Sequence, residues 1–264
     1  MYQRIRTSLR WRLLSPFIPQ IESTEFELIT LGSKYGRKTF AKELISSLNP
    51  VLISAGVGED VSFDLEFQVL YDAQVILVDP TPSAILHFQA IQGRSGRLRE
   101  TPYSETNVQK PESYSLEKVD FDKISYVAKA VWSEETMVSF FQPTDLSRDG
   151  SFSIDSIDTF YEKSTSSIKV YTTTISNLVR KHAISFVDII KLDVEGAALD
   201  TLVACFQSKI FPNQLLVEVD ELHFPCLKSK LRAEQLFRLI RRAGYEPIHR
   251  DNCDFLFVRS TDHD

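Results

Sequence analysis

Short apolar runs that stop at charged residues, each followed by a helical pattern, recur along this chain of 264 residues and restrict its fold more than any other feature. "PVLISAG" closes in small residues, "AQVILVDP" at Asp79 and Pro80, "FVDIIKLDVEG" at Lys191, Asp193 and Glu195, and "NQLLVEVD" at Glu218 and Asp220. "ISYVAKAVW" alternates, and the tail "GYEPIHRDNCDFLFVR" carries two β-rich runs around "RDNCD". Helical spacing falls at roughly 60–71, 82–92, 175–182, 197–207 and 229–243. Strands alternating with helices predict an α/β fold, a mostly parallel sheet wrapped on both faces, with the C-terminal hairpin as an antiparallel edge.

Residues 1–27 read as a basic N-terminal arm: the first twenty hold Arg4, Arg6, Arg10 and Arg12 and no acid. Arg12 and two prolines interrupt the apolar part, which excludes a secretory signal. The arm either packs on the domain or lies as a basic helix on a membrane surface or partner. Residues 28–260 read as one domain with a polar insertion at 93–123 and a β excursion at 136–174. No apolar stretch is long enough to span a bilayer. A net charge of -6 argues against nucleic-acid binding through a basic surface. Cys205, Cys226 and Cys253 are far apart and form no CxxC pair, so neither a disulfide framework nor a structural zinc site is expected, and a reducing, cytoplasmic setting fits.

In an open α/β sheet, ligands bind beyond the carboxyl ends of the strands. Gly56 and Gly58 permit a tight turn after the first of these apolar runs. A dinucleotide fingerprint needs a third glycine, and Val61 stands there instead. Glu59 and Asp60 follow at once and would repel a pyrophosphate at the helix N-terminus. S-adenosylmethionine, with a sulfonium, an ammonium and no phosphate, suits this turn better than a nicotinamide dinucleotide. Asp79, on the order of 20 residues further on, is placed to accept hydrogen bonds from ribose hydroxyls. Capping the helix that follows is the other role open to it.

"LGSKYG" at 31–36, "ISAGVGEDVSFD" at 53–64, "VDPTP" at 78–82, "KAVW" at 129–132, "DIIKLDVEGAALDTL" at 188–202 and "LLVEVDELH" at 215–223 resemble, in this order, the FkbM-type methyltransferases. The resemblance spans about residues 28–258. It implies a Rossmann-like class I fold with a seven-stranded sheet, and S-adenosyl-L-methionine-dependent methyl transfer, mostly to hydroxyl oxygens. It places Ser54, Gly56, Gly58 and Glu59 at the methionine part of the cofactor, Asp79 at the ribose, Pro80 among the cofactor contacts, and Ala130, Val131 and Trp132 at the adenine. Asp193 and Glu195 would face the methyl group and acceptor. Many class I enzymes carry an acid where this chain has Ser54, so another group, with Asp193 the first candidate, must hold the cofactor's ammonium.

A hydroxyl acceptor must lose its proton. His223 is the first candidate base, with Asp193 and Glu195 as rivals; an ordinary loop histidine is the alternative for His223. Asp193, Glu195, Glu218 and His223 could instead gather magnesium or manganese, a reading not favoured. His87, His182, His249 and His263 are expected on helix surfaces, strands or the tail. The insertion at 93–123, with Arg94, Arg97 and Arg99 at its start, is expected to be a mobile flap over the acceptor. The acceptor is expected to be a small molecule or glycan, and oligomeric state is left open. Two other classes remain: a binding module that lost the chemistry, and an NAD-type oxidoreductase, which Val61 and the paired acids oppose.

Overall fold

The computed structural model describes residues 16–21, 24–141, 167–223 and 226–260. The first strands, β1 (Leu28–Leu31) and β2 (Lys38–Ala41), form an antiparallel hairpin. Next come β3 (Val51–Ala55), α1 (Ser62–Tyr71), β4 (Gln74–Val78), α2 (Pro82–Gln92), β5 (Ile124–Val127) and β6 (Ala130–Val131). Then follow β7 (Met137–Phe141), β8 (Ser167–Thr173), α3 (Ile175–Lys181), β9 (Ile189–Leu192), α4 (Ala198–Gln207) and β10 (Gln214–Glu218). The chain closes with α5 (Leu227–Arg242), β11 (Tyr245–Asp251) and β12 (Asp254–Arg259).

Seven strands form the central sheet in the order β11-β12-β10-β9-β3-β4-β5. The pairs from β10 through β9, β3 and β4 to β5 are parallel, while β12 runs antiparallel to both β10 and β11. Chain order reverses between β3 and β9, which makes the carboxyl ends of those two strands the switch point. All five residues of β3 are buried, as a strand covered on both faces requires. One face packs Ile53, Ala55, Ile190 and Val217 against α3, α4 and α5. The other packs Leu52, Val75, Leu77 and Ile189 against α1 and α2, with Phe40 of the hairpin.

The central sheet and the helices agree with the spacing in the sequence, and four features differ from the expectations. "ISYVAKAVW" is two strands, not one: β5 joins the central sheet, whereas β6 pairs with β8 in a small sheet with β7. The β1–β2 hairpin was not read from the sequence. The polar insertion is not a free flap. Tyr114 and Leu116 are buried against the α1–α2 face, and Gln109 donates to Asp60 at 3.1 Å. Gly96 and Leu116 tie its two limbs through the Gly96 N–Leu116 O and Leu116 N–Arg97 O bonds. Scattered apolar anchors and hydrogen bonds order it where no apolar period exists. Two of its arginines face acids rather than the cleft: Arg94 pairs with Glu100 and Glu112 of the insertion, and Arg99 with Glu66 of α1. His87 also departs from a helix-surface position. It is buried and within 3.0 Å of the Tyr114 hydroxyl. The basic part of the arm and His263 lie outside the described residues.

Candidate active site

A cleft of about 440 Å³ opens at the switch point. The turn of the β1–β2 hairpin walls one side, and the β11–β12 turn, Asp251 to Asp254, walls another.

The floor is the glycine turn. Gly56 and Gly58 both have positive φ, 73° and 52°, which side chains rarely adopt. A Cβ on Gly56 would lie 1.5 Å from the Asp193 carbonyl oxygen, so only glycine lets the turn cross β9. A Cβ on Gly58 would meet nothing within 4 Å and would stand in the cleft. Asp60 anchors the turn to its surroundings: it accepts from Ser62 N at 3.0 Å at the start of α1, and from the Ser33 hydroxyl of the hairpin.

Asp79, at the end of β4, accepts from Gly58 N at 3.0 Å through Oδ2. Its Oδ1 accepts from Thr81 N at 2.8 Å and the Thr81 hydroxyl at 2.6 Å. Thr81, not Asp79, is the N-cap residue of α2. Burial raises the Asp79 pKa, against the opposing hydrogen bonds from Thr81 and Gly58.

Asp193, just past β9, is the centre of charge. Burial opposes its ionisation, but Lys38 and Lys191 outweigh burial and hold its carboxyl far below the usual range. Lys38 Nζ lies 3.3 Å and Lys191 Nζ 3.9 Å from Asp193 Oδ2. Lys38 also bonds Asp254 of the C-terminal hairpin. A carboxylate committed to two lysines is a weak base. Glu195 sits at φ 44°, a conformation uncommon for a non-glycine residue. The following residue is braced at both its backbone groups, Gly196 N donating to Asp220 Oδ2 at 2.7 Å and Arg232 to Gly196 O at 2.8 Å.

Glu218 ends β10 beside Asp193. The Asp193 charge, with burial, pushes its pKa up to about 8. His223 Nε2 lies 3.3 Å from Glu218 Oε1, and hydrogen bonds to Cys253 and Glu218 raise the imidazole pKa. Ligand atoms of Glu218, Asp220 and His223 lie within 4.8 Å of one another, a spacing that suits a divalent cation. Asp193 and Glu195, which the unfavoured metal reading of the sequence included, are not part of it.

The cleft therefore gathers Gly56, Gly58, Glu59, Asp79 and Pro80 with Ala130, Val131, Asp193, Glu195 and His223. Two expected residues stand apart. Ser54 is fully buried behind the turn, and Trp132, though its backbone N–H donates to Thr173 O at 2.9 Å, does not line the cleft. Tyr35, Lys38 and Asp254 were missed by sequence reasoning. The available signal was the β-rich run "KTFA", which opens on Lys38 one residue after "LGSKYG" and its Tyr35.

Fold and cleft together define an α/β protein with a glycine-turn cleft at the sheet's switch point. The family model of the methyltransferase FkbM domain matches residues 39–247, and the chain belongs to that family, which makes it a methyltransferase. No curated protein matches the chain. No helix among the described residues is long and apolar enough to cross a membrane.

Proposed function

We propose that this protein transfers a methyl group from S-adenosyl-L-methionine to a hydroxyl of a sugar, glycan or secondary metabolite. The observation that carries the reading is the open side of Gly58, facing a cleft that the buried carboxylate of Asp79 also lines. The residues fit the cofactor: Gly58 leaves room for its amino-acid part in a turn that Gly56 makes possible, Asp79 offers remaining lone pairs to ribose hydroxyls, and Ala130 and Val131 give an apolar wall for the adenine. When bound, the cofactor supplies an electrophilic methyl group. The protein aligns the acceptor for in-line attack and takes up its proton. Glu218 serves as proton acceptor, since its basicity lies nearer neutrality than that of Asp193, and His223 fixes its orientation. Tyr35, exposed at the mouth, offers an aromatic face to the acceptor.

The grouping of Glu218, Asp220 and His223 favours a second reading, in which a divalent cation held there orients the acceptor hydroxyl. Turnover after exhaustive chelation separates the two. The test of the main reading is incubation with methyl-labelled S-adenosylmethionine and panels of sugars, glycans and hydroxylated metabolites. Label on a hydroxyl oxygen supports it; label only on nitrogen, carbon or sulfur overturns it.

A further inference from the structure

The acid that this chain lacks at Ser54 stands nearby, on a different element. Asp64 lies in the first turn of α1 and is 1% exposed, and Ser54 is 0% exposed. Both Asp64 carboxylate oxygens and the Ser54 hydroxyl are buried without a hydrogen-bond partner among the described residues. Strand register supplies the third member. Ser54 on β3 sits opposite Lys191 on β9, and strand alternation sends both side chains to the face that α1 covers. Burial disfavours the ionised form of Asp64, while the charge of Lys191 favours it.

Lys191 connects this buried group to the cleft. Its Nζ donates to the Gly56 carbonyl at 3.1 Å. Its contact to Asp193, at 3.9 Å, is longer than the 3.3 Å contact by which Lys38 holds the same oxygen. Asp193 is thus committed first to Lys38, and Asp64 is the remaining counter-charge for a lysine that is 4% exposed. An acid at position 54 in addition would crowd two buried carboxylates onto one ammonium. The pairing of serine on the strand with aspartate on the helix avoids that repulsion.

We propose that Asp64 is a positioning residue for the cofactor site: from the α1 side of the sheet it holds Lys191 against the Gly56 carbonyl, and so fixes the glycine turn that receives the amino-acid end of the cofactor. This rests on the S-adenosylmethionine reading above. Asp64 itself does not line the cleft, so it acts through Lys191 rather than by touching ligand.

The test combines calorimetric titration of adenosylhomocysteine into the full chain with melting curves of the ligand-free protein. The proteins are the wild type, Asp64→Asn, Lys191→Met and the double variant. Asp64→Asn is expected to weaken binding at least tenfold. The double variant is expected to bind no worse than Lys191→Met, because one residue acts through the other. The groups that face Asp64 electrostatically are Lys191, Asp60 and Tyr114. Its raised pKa means that ionising it disfavours the folded state, and this loss grows as pH rises from the ordinary carboxylate value through the folded one. Ligand-free Asp64→Asn is therefore expected to melt no lower than wild type at pH 8, despite its weaker binding. Wild-type affinity in Asp64→Asn, strictly additive losses in the double variant, or a lower melting temperature with normal affinity would each overturn the inference. A wild type that binds no adenosylhomocysteine removes the functional reading and this inference with it. A wild type that binds beside an equally tight Asp64→Asn removes this inference alone.

Discussion

Lys38 Nζ lies 3.3 Å from Asp193 Oδ2, and this contact fastens the β1–β2 hairpin to the strand end where the sheet reverses its order. Lys38 is 7% exposed and also bonds Asp254, so one ammonium joins the hairpin, the switch point and the C-terminal edge.

Removing that ammonium leaves Asp193, 30% exposed, with Lys191 alone. Lys38→Met is expected to cost about 1.5–3 kcal/mol at pH 7, the usual range for a lost hydrogen bond to a charged group. Asp193 is depressed, so its share of the stability is present above the ordinary carboxylate pKa and is lost as pH falls through the folded value. Lys38 is raised, so its share is present below the ordinary lysine pKa and is lost only as pH rises through a still higher folded value. The difference between wild type and variant should then be widest from about pH 5 to 10. Urea unfolding that finds the two equal at pH 7 would contradict the assignment.

Asp79 has two roles that one variant can separate. It braces Gly58 and Thr81, and it faces the cleft. Asp79→Ala should lose about 1.5–3 kcal/mol for each bond made to the charged group, seen both as a lower melting temperature and as weaker adenosylhomocysteine binding. Loss of stability with unchanged affinity would confine Asp79 to the turn.

The polar insertion should behave as part of the core. Limited proteolysis of the ligand-free protein is expected to spare residues 94–119, where Tyr114 and Leu116 are buried. Tyr114→Ala should cost about 3–5 kcal/mol, as for other large aromatic truncations, and expose the segment to cleavage. Rapid cutting there in the wild type would restore the mobile flap.

Glu218→Gln should lower kcat by about 10²–10⁴-fold, the contribution expected of a positioned base, with little change in cofactor affinity. In the wild type, kcat should rise with pH as Glu218, whose pKa is pushed up to about 8, loses its proton. A variant that keeps its rate would return the role to His223 or Glu195.

Much of this architecture was legible because strands covered on both faces must be apolar throughout, so β3, β4, β9 and β10 stand out in the sequence. The rule that ligands gather at strand ends then led to Asp79, Asp193, Glu195 and His223. What it could not supply were partners brought from afar. Lys38 reaches Asp193 from a four-residue strand too short to carry a period. The insertion is ordered by isolated residues such as Tyr114 and Gln109, which no periodicity marks. "ISYVAKAVW" looked continuous because the break between β5 and β6, where Lys129 N bonds Val127 O, contains no proline or glycine.

The central claim is that the glycine turn holds S-adenosylmethionine or its demethylated product, and calorimetric titration of adenosylhomocysteine into wild type and Gly58→Val tests it most directly. A Cβ at Gly58 meets no atom, but φ 52° strains any side chain there, so valine should lower the melting temperature through the turn while its branched side chain fills the ligand's space. The account predicts saturable binding to the wild type, none to a Gly58→Val protein that unfolds cooperatively, and no heat from NAD with either. Equal affinity of the two proteins for adenosylhomocysteine, or binding of NAD in its place, would contradict it.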